Sequence, residues 1–246
     1  MALGMFCAIP LPFFIWDERL MVTTVASFPL IGLIVGGIWW GAFLLFSAFD
    51  LPLMIMSAIL TVVPFLVAGF IHLDGFMDTS DAHLSRRPLE DRLRILKDPA
   101  VGAFAVVMLV ILFLLQFAAV YTIMEGGRFL ALVIAICVIS RCCSAMSIFV
   151  LKHMPVSNYS SMLGGRVGAG PKVFVCLTAL GGTALAVMYE GPAGLIAAAA
   201  VVLGYGAAMR VVYKSFEGVS GDLLGYAMVI GELCGLIALA LVQNVL

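Results

Sequence analysis

The chain has 246 residues, 64% of them hydrophobic and only 11% charged, with a formal net charge of −1. Soluble domains carry about 25% charged residues, so the composition excludes an ordinary soluble enzyme and reads as an integral membrane protein. No basic or aromatic-basic stripe is present, so nucleic acid is not expected as a partner.

Residues 1–16 are apolar and broken by Pro10 and Pro12, and no positively charged stretch precedes them. An interfacial or re-entrant segment is expected there rather than a cleaved signal peptide. A first span follows at about Phe28 to Phe49. Its glycines at 32, 36, 37 and 41 form two small-xxx-small seams that suit close helix packing. The second span is expected at about Leu53 to Phe70, with its helix continuing into the stretch that follows. Pro88 marks a turn, and Leu89 to Lys97 reads as a short amphipathic surface helix. Pro99 is expected at a first helical position, opening a third span at about Val101 to Met124. The remaining spans are expected at about Phe129 to Leu151, Val173 to Tyr189, Ala193 to Val212 and Leu223 to Leu246. The fold class is thus an all-α, polytopic transmembrane bundle of about seven spans, one integral membrane domain over residues 1–246. The six cysteines contain no Cys-Xxx-Xxx-Cys pair and read as small buried apolar residues.

Lysines and arginines set the orientation. With the 72–100 loop in the cytoplasm, eleven of them fall on that side, Arg128 alone on the other, and Arg141 within the membrane. The expectation is an N-terminus inside, a C-terminus outside, and an active site facing the cytoplasm.

Between the second and third spans, Asp74, Asp78 and Asp81 stand at i, i+4 and i+7. At about 100° per residue they share one sector of roughly 60° on a helix. Like charges on one face repel, and a hard divalent cation among them would relieve the repulsion. A solvated helix end is the bland reading, but Leu73, Phe76 and Met77 between the acids make a carboxylate stripe on an oily helix. Asp98, Asp222 and Glu232 are further acids near the same side, with Glu232 about 15 Å deeper than Asp222 at 1.5 Å rise per residue. Charges at membrane depth line polar cavities or pair, and Arg141 is the expected partner of these acids. His72 and His83 flank the stripe. Arg86, Arg87, Arg92, Arg94 and Lys97 can hold anionic lipid heads or substrate phosphates. Gly164-Gly165-Arg166 offers a backbone approach to phosphate, a weak signal alone. Carboxylates holding Mg²⁺ at a membrane–cytosol boundary suit phosphoryl transfer from a nucleotide-activated donor.

Two motifs go further: His72-Leu73-Asp74-Gly75 with Asp78-Thr79 and Asp81, then Lys97-Asp98-Pro99 with Gly102-Ala103-Phe104. Together they resemble the signature of the cobalamin synthase family, the adenosylcobinamide-GDP ribazoletransferases. Phe28 to Gly32 and Ser220-Gly221-Asp222 with Leu224-Gly225 are similar to other stretches of that family. Cys7-Ala8-Ile9-Pro10 departs from it, lacking an arginine the family carries. The resemblance implies an enzyme of the last stage of vitamin B12 assembly, integral to the cytoplasmic (inner) membrane of a prokaryote. A ribose hydroxyl of α-ribazole, or of its 5′-phosphate, attacks the phosphate on adenosylcobinamide-GDP, and GMP leaves. Mg²⁺ is the implied cofactor, with Asp74, Asp78 and Asp81 as ligands. Asp78, Asp81 and Asp98 are the candidate catalytic residues. His72, Arg86, Arg94, Lys97, Arg166, Asp222 and Glu232 are the candidate substrate-binding residues. Self-association is left open. The competing expectations are another aspartate-rich membrane transferase, such as a CDP-alcohol phosphotransferase or a prenyltransferase, and a divalent-cation transporter.

Overall fold

Apolar stretches with no water to bond their backbones must close their hydrogen bonds within helices, and the computed structural model is helical accordingly. It describes residues 1–10, 12, 16–126, 132–154, 163 and 167–243. In chain order the helices are α1 (Ala2–Phe6), α2 (Met21–Ala26), α3 (Phe28–Ser47), α4 (Leu53–Val67), α5 (Ile71–Leu84), α6 (Leu89–Ile95), α7 (Ala103–Glu125), α8 (Leu132–Val150), α9 (Ala169–Glu190), α10 (Pro192–Phe216) and α11 (Gly221–Gln243). A 3₁₀ turn at Glu18–Leu20 leads into α2. Among the described residues six helices (α3, α7, α8, α9, α10 and α11) are long and apolar enough to cross a membrane, or seven crossings if α4 and α5 form one broken span. The protein is an integral membrane protein.

Helix α8 sits at the centre, 78% buried over its apolar window against 17% for α9. Helix α3 packs on it through one of the two glycine seams. A Cβ at Gly32 would lie 2.5 Å from the Cys137 carbonyl oxygen, and one at Gly36 would lie 2.6 Å from Ile134 Cα. Gly37 and Gly41 face open space, so the second expected seam makes no contact.

The second span departs most from expectation. Helix α4 runs beside the C-terminal half of α7: Ser57 Oγ donates to Met124 Sδ, and Gln116 Nε2 donates to the Thr61 carbonyl at 3.1 Å. In its last turn the Phe65 ring lies 5.5 Å from that of Phe113. There the chain breaks. Pro64 sits inside α4, and Gly69 and Phe70 both adopt positive φ, at 66° and 61°. Helix α5 leaves at 93° to α4, so the single continuous helix expected here is two. A left-handed phenylalanine is strained by about 1–2 kcal/mol. The N-terminal segment braces it: the Ala8 N–H donates to the Val67 carbonyl at 2.9 Å, and Ala8 packs on Gly69.

Helix α5 then runs across the end of the bundle and is not one of the six helices long and apolar enough to cross a membrane alone. It passes over the first turns of α11 and reaches the N-terminus of α7. A Cβ at Gly75 would meet the Asp222 backbone at 2.8 Å, and one at Gly225 would meet the His72 carbonyl at 3.1 Å. Two glycines, one on each helix, set this crossing. Helix α7 begins at Ala103, with Gly102 as its N-cap. Pro99 lies in the preceding turn and not at the first helical position, because the Asp98 carboxylate accepts from the Ala100 N–H at 2.9 Å and folds an Asx-type turn first.

Candidate active site

The helical spacing of Asp74, Asp78 and Asp81 and the glycine-set crossing bring four carboxylates to one end of the bundle. Asp78, half-buried, feels the charges of Asp74, Asp222 and Asp81. Burial first, and then these three like charges, push its carboxyl from 3.8 up to about 6. Asp81 lies against Gly102 at the N-terminus of α7, where a Cβ would collide with the carboxylate. That helix end offers unpaired N–H groups and a positive dipole. Ser220 Oγ lies 3.5 Å from Asp222 Oδ2.

Among the described residues, no three His, Cys, Asp or Glu side chains are gathered as a ready-made metal cage. The donor set still fits one class of ion. Mg²⁺ takes few protein ligands, commonly one or two carboxylates, and completes its shell with water and substrate phosphate. Carboxylates crowded enough to raise a neighbour's pKa suit such an ion.

The other expected site residues are placed unevenly. Asp98 is exposed in the turn before α7, with its carboxylate engaged by the Ala100 N–H. Arg86 is exposed with φ +53°. Arg94 is exposed and pairs with Asp91 at 3.0 Å, and Lys97 is exposed nearby. Arg166, with Gly164 and Gly165, lies outside the described residues. His83 Nδ1 is 2.9 Å from Ser215 Oγ, and burial together with the Arg92 charge holds its imidazole below the usual range.

Glu232 is the deep acid, and it is already engaged. Arg141 Nη1 donates to its Oε1 at 2.6 Å, and Ser140 Oγ donates to the same oxygen at 2.7 Å. This ion pair joins the middle of α11 to α8, a turn or more below the aspartates. His72 is 8% exposed and its Nε2 has no hydrogen-bond partner. It packs with the rings of Phe6 and Phe28.

Several residues take their role only from the packing. Phe6 belongs to a segment with no helical period to place it. Gly75, Gly102 and Gly225 act through who lies opposite them, which only the packing reveals. Arg92 is not a free surface cation: its guanidinium lies 5.5 Å from the centre of the Phe216 ring.

The comparisons with known proteins cover the same ground. The model of the CobS family, described as cobalamin-5-phosphate synthase, matches residues 1–240. The adenosylcobinamide-GDP ribazoletransferase of Clostridium perfringens is 35% identical, over 98% of this chain and 96% of the relative. The protein of the same name from Lachnoclostridium phytofermentans is 31% identical, over 100% and 94%. That from Geobacillus kaustophilus is 34% identical, over 94% and 90%. No solved structure matches the chain. With the family model spanning all but the last residues and full-length relatives above 30% identity, the chain belongs to the cobalamin-5-phosphate synthase family.

Proposed function

We propose that the protein is an adenosylcobinamide-GDP ribazoletransferase that joins adenosylcobinamide-GDP to α-ribazole or its 5′-phosphate and releases GMP. The observation that carries this reading is the meeting of Asp74, Asp78, Asp81 and Asp222 at one bundle end, in a chain whose full-length relatives bear that name.

The ribose hydroxyl oxygen attacks the phosphorus attached to cobinamide. The bond from that phosphorus to the oxygen of the GMP phosphate breaks, and GMP leaves with the bonding pair. The hydroxyl proton passes to a carboxylate. Asp78 is the best placed acceptor, because it is half-buried among the carboxylates of Asp74, Asp81 and Asp222. Mg²⁺, held by Asp74, Asp78 and Asp81 with Asp222 beside them, would neutralise the diphosphate and the departing phosphate. Asp81, seated at the α7 N-terminus, is oriented by that helix. Arg86, Arg94 and Lys97, exposed around α6, supply positive charge for the nucleotide phosphates. Asp98 fixes the turn that delivers Gly102 to Asp81. The site faces the cytoplasm, the side on which eleven of the lysines and arginines fall and where nucleotide-activated donors are made.

The test is direct. Purified protein in detergent or liposomes receives adenosylcobinamide-GDP, α-ribazole 5′-phosphate and Mg²⁺. GMP and cobalamin 5′-phosphate are expected in equal amounts. A folded sample that yields neither overturns the reading.

A further inference from the structure

A cavity of about 110 Å³ opens beside the aspartates. Asp222 belongs both to its wall and to the charge neighbours of Asp78, so the cavity adjoins the carboxylate site. Ile71 and Gly221, both exposed, belong to its lining, and we take its mouth to lie there. Its interior is made by Phe6, Phe28, Ser144, Met228 and the imidazole of His72. The Phe6 and Phe28 ring centres are 4.4 Å apart and lie 6.5 Å and 5.7 Å from that of His72. Within this apolar, aromatic wall His72 Nε2 is buried without a partner. A buried ring nitrogen left without a partner is destabilising by about 1–3 kcal/mol, a loss that a hydrogen-bonding ligand would remove.

We propose that this cavity receives the planar base of the ribazole nucleoside, with His72 Nε2 donating to the ring nitrogen that does not carry the sugar. The proposal rests on the ribazoletransferase reading and names the subsite it requires. An apolar cavity of roughly 150 Å³ holds one benzene ring, so about 110 Å³ takes the five-membered ring with slight widening. The fused second ring lies in the mouth. The two ring nitrogens point to nearly opposite sides. A base turned with one nitrogen toward His72 therefore sends the sugar back toward Asp222, where the reacting hydroxyl is needed. Aromatic walls suit a planar heterocycle through offset or edge-on packing. The hydrogen bond supplies selectivity, since a site built to donate to a ring nitrogen rejects an analogue lacking it.

The experiment uses the full chain in detergent. Dissociation constants are measured calorimetrically for α-ribazole and for its indole counterpart, in which the free ring nitrogen is a C–H. Wild type should prefer α-ribazole about tenfold or more. His72→Phe should bring the two affinities together, and His72→Gln, which keeps a donor, should restore most of the preference. Ser144→Leu fills the cavity while keeping the His72 side chain, and should raise KM for α-ribazole about tenfold while leaving KM for adenosylcobinamide-GDP unchanged. Equal affinity of wild type for the two nucleosides would show a cavity that holds only water and overturn the proposal. So would a preference that survives His72→Phe, or a Ser144→Leu protein with unaltered KM. Wild type that releases GMP yet gives any of these results loses only the subsite. Wild type that releases no GMP and binds no α-ribazole sinks the parent reading as well.

Discussion

The Asp81 carboxylate rests on the Cα of Gly102, in the space a side chain would fill. One helix therefore ends where another begins, and the contact between them is an acid against a bare backbone. Gly102→Ala should push the carboxylate off the α7 N-terminus and lower kcat roughly tenfold or more. In an Asp81→Asn background the same change should do little further, because the interaction is already gone. A double-mutant cycle on GMP release checks this, and independent, additive losses would show that Gly102 acts elsewhere.

Gly75 makes the matching contact on the other side of α5, against the Asp222 backbone. Gly75→Val should wedge α5 away from α11. Thermal unfolding in detergent should show a loss of about 1–3 kcal/mol, and Mg²⁺ should protect the variant less than wild type.

The Arg141–Glu232 pair is buried on both sides. Glu232→Ala leaves a guanidinium without its partner and should destabilise the protein by about 3–5 kcal/mol. Replacing both partners, Arg141→Met with Glu232→Leu, should recover much of that loss, since it removes the stranded charge. Chemical unfolding of the single and double variants in mixed micelles decides the matter. A double variant no better than Glu232→Ala would point to a role beyond pairing.

The folded Asp78 carboxyl keeps its proton up to about pH 6, whereas an unperturbed one releases it near 3.8. The stability this group contributes is full below 3.8 and is lost as pH rises through about 6. Asp78→Asn should therefore raise the melting temperature of divalent-free protein at pH 8, and the gain should vanish as pH is lowered toward 4. At pH 8, Mg²⁺ should stabilise wild type more than the variant. A variant that melts with wild type at every pH would refute the crowding of the four acids.

The long apolar helices were legible because hydropathy needs no tertiary information, and most observed bounds lie within a few residues of expectation. The acid stripe was legible for a similar reason: three charges at helical spacing in an oily stretch announce a face. The break before it was not. Phe70 at positive φ contradicts its own propensity and exists because Pro64, Gly69 and the Ala8 brace impose it. The pairing of Glu232 with Arg141 was legible too, because an acid and a base at membrane depth need each other; only the three-dimensional packing shows that Ser140 donates to the same carboxylate oxygen. Asp98 and Pro99 carry the letters of a helix start, but a side-chain hydrogen bond made a turn of them first.

The right-angled break between α4 and α5 has a consequence for altitude. A straight continuation would lift Asp78 about 16 Å beyond Val67, at 1.5 Å per residue. Turned through 93°, the same stretch travels sideways and climbs almost nothing. In the orientation proposed above, the acids are thereby set into the rim of the bundle, with hydrocarbon-facing helices on one hand and open water on the other. A bulky amphipathic reactant approaching along the lipid and a small polar one arriving from solution can meet at such a rim without either leaving its own medium.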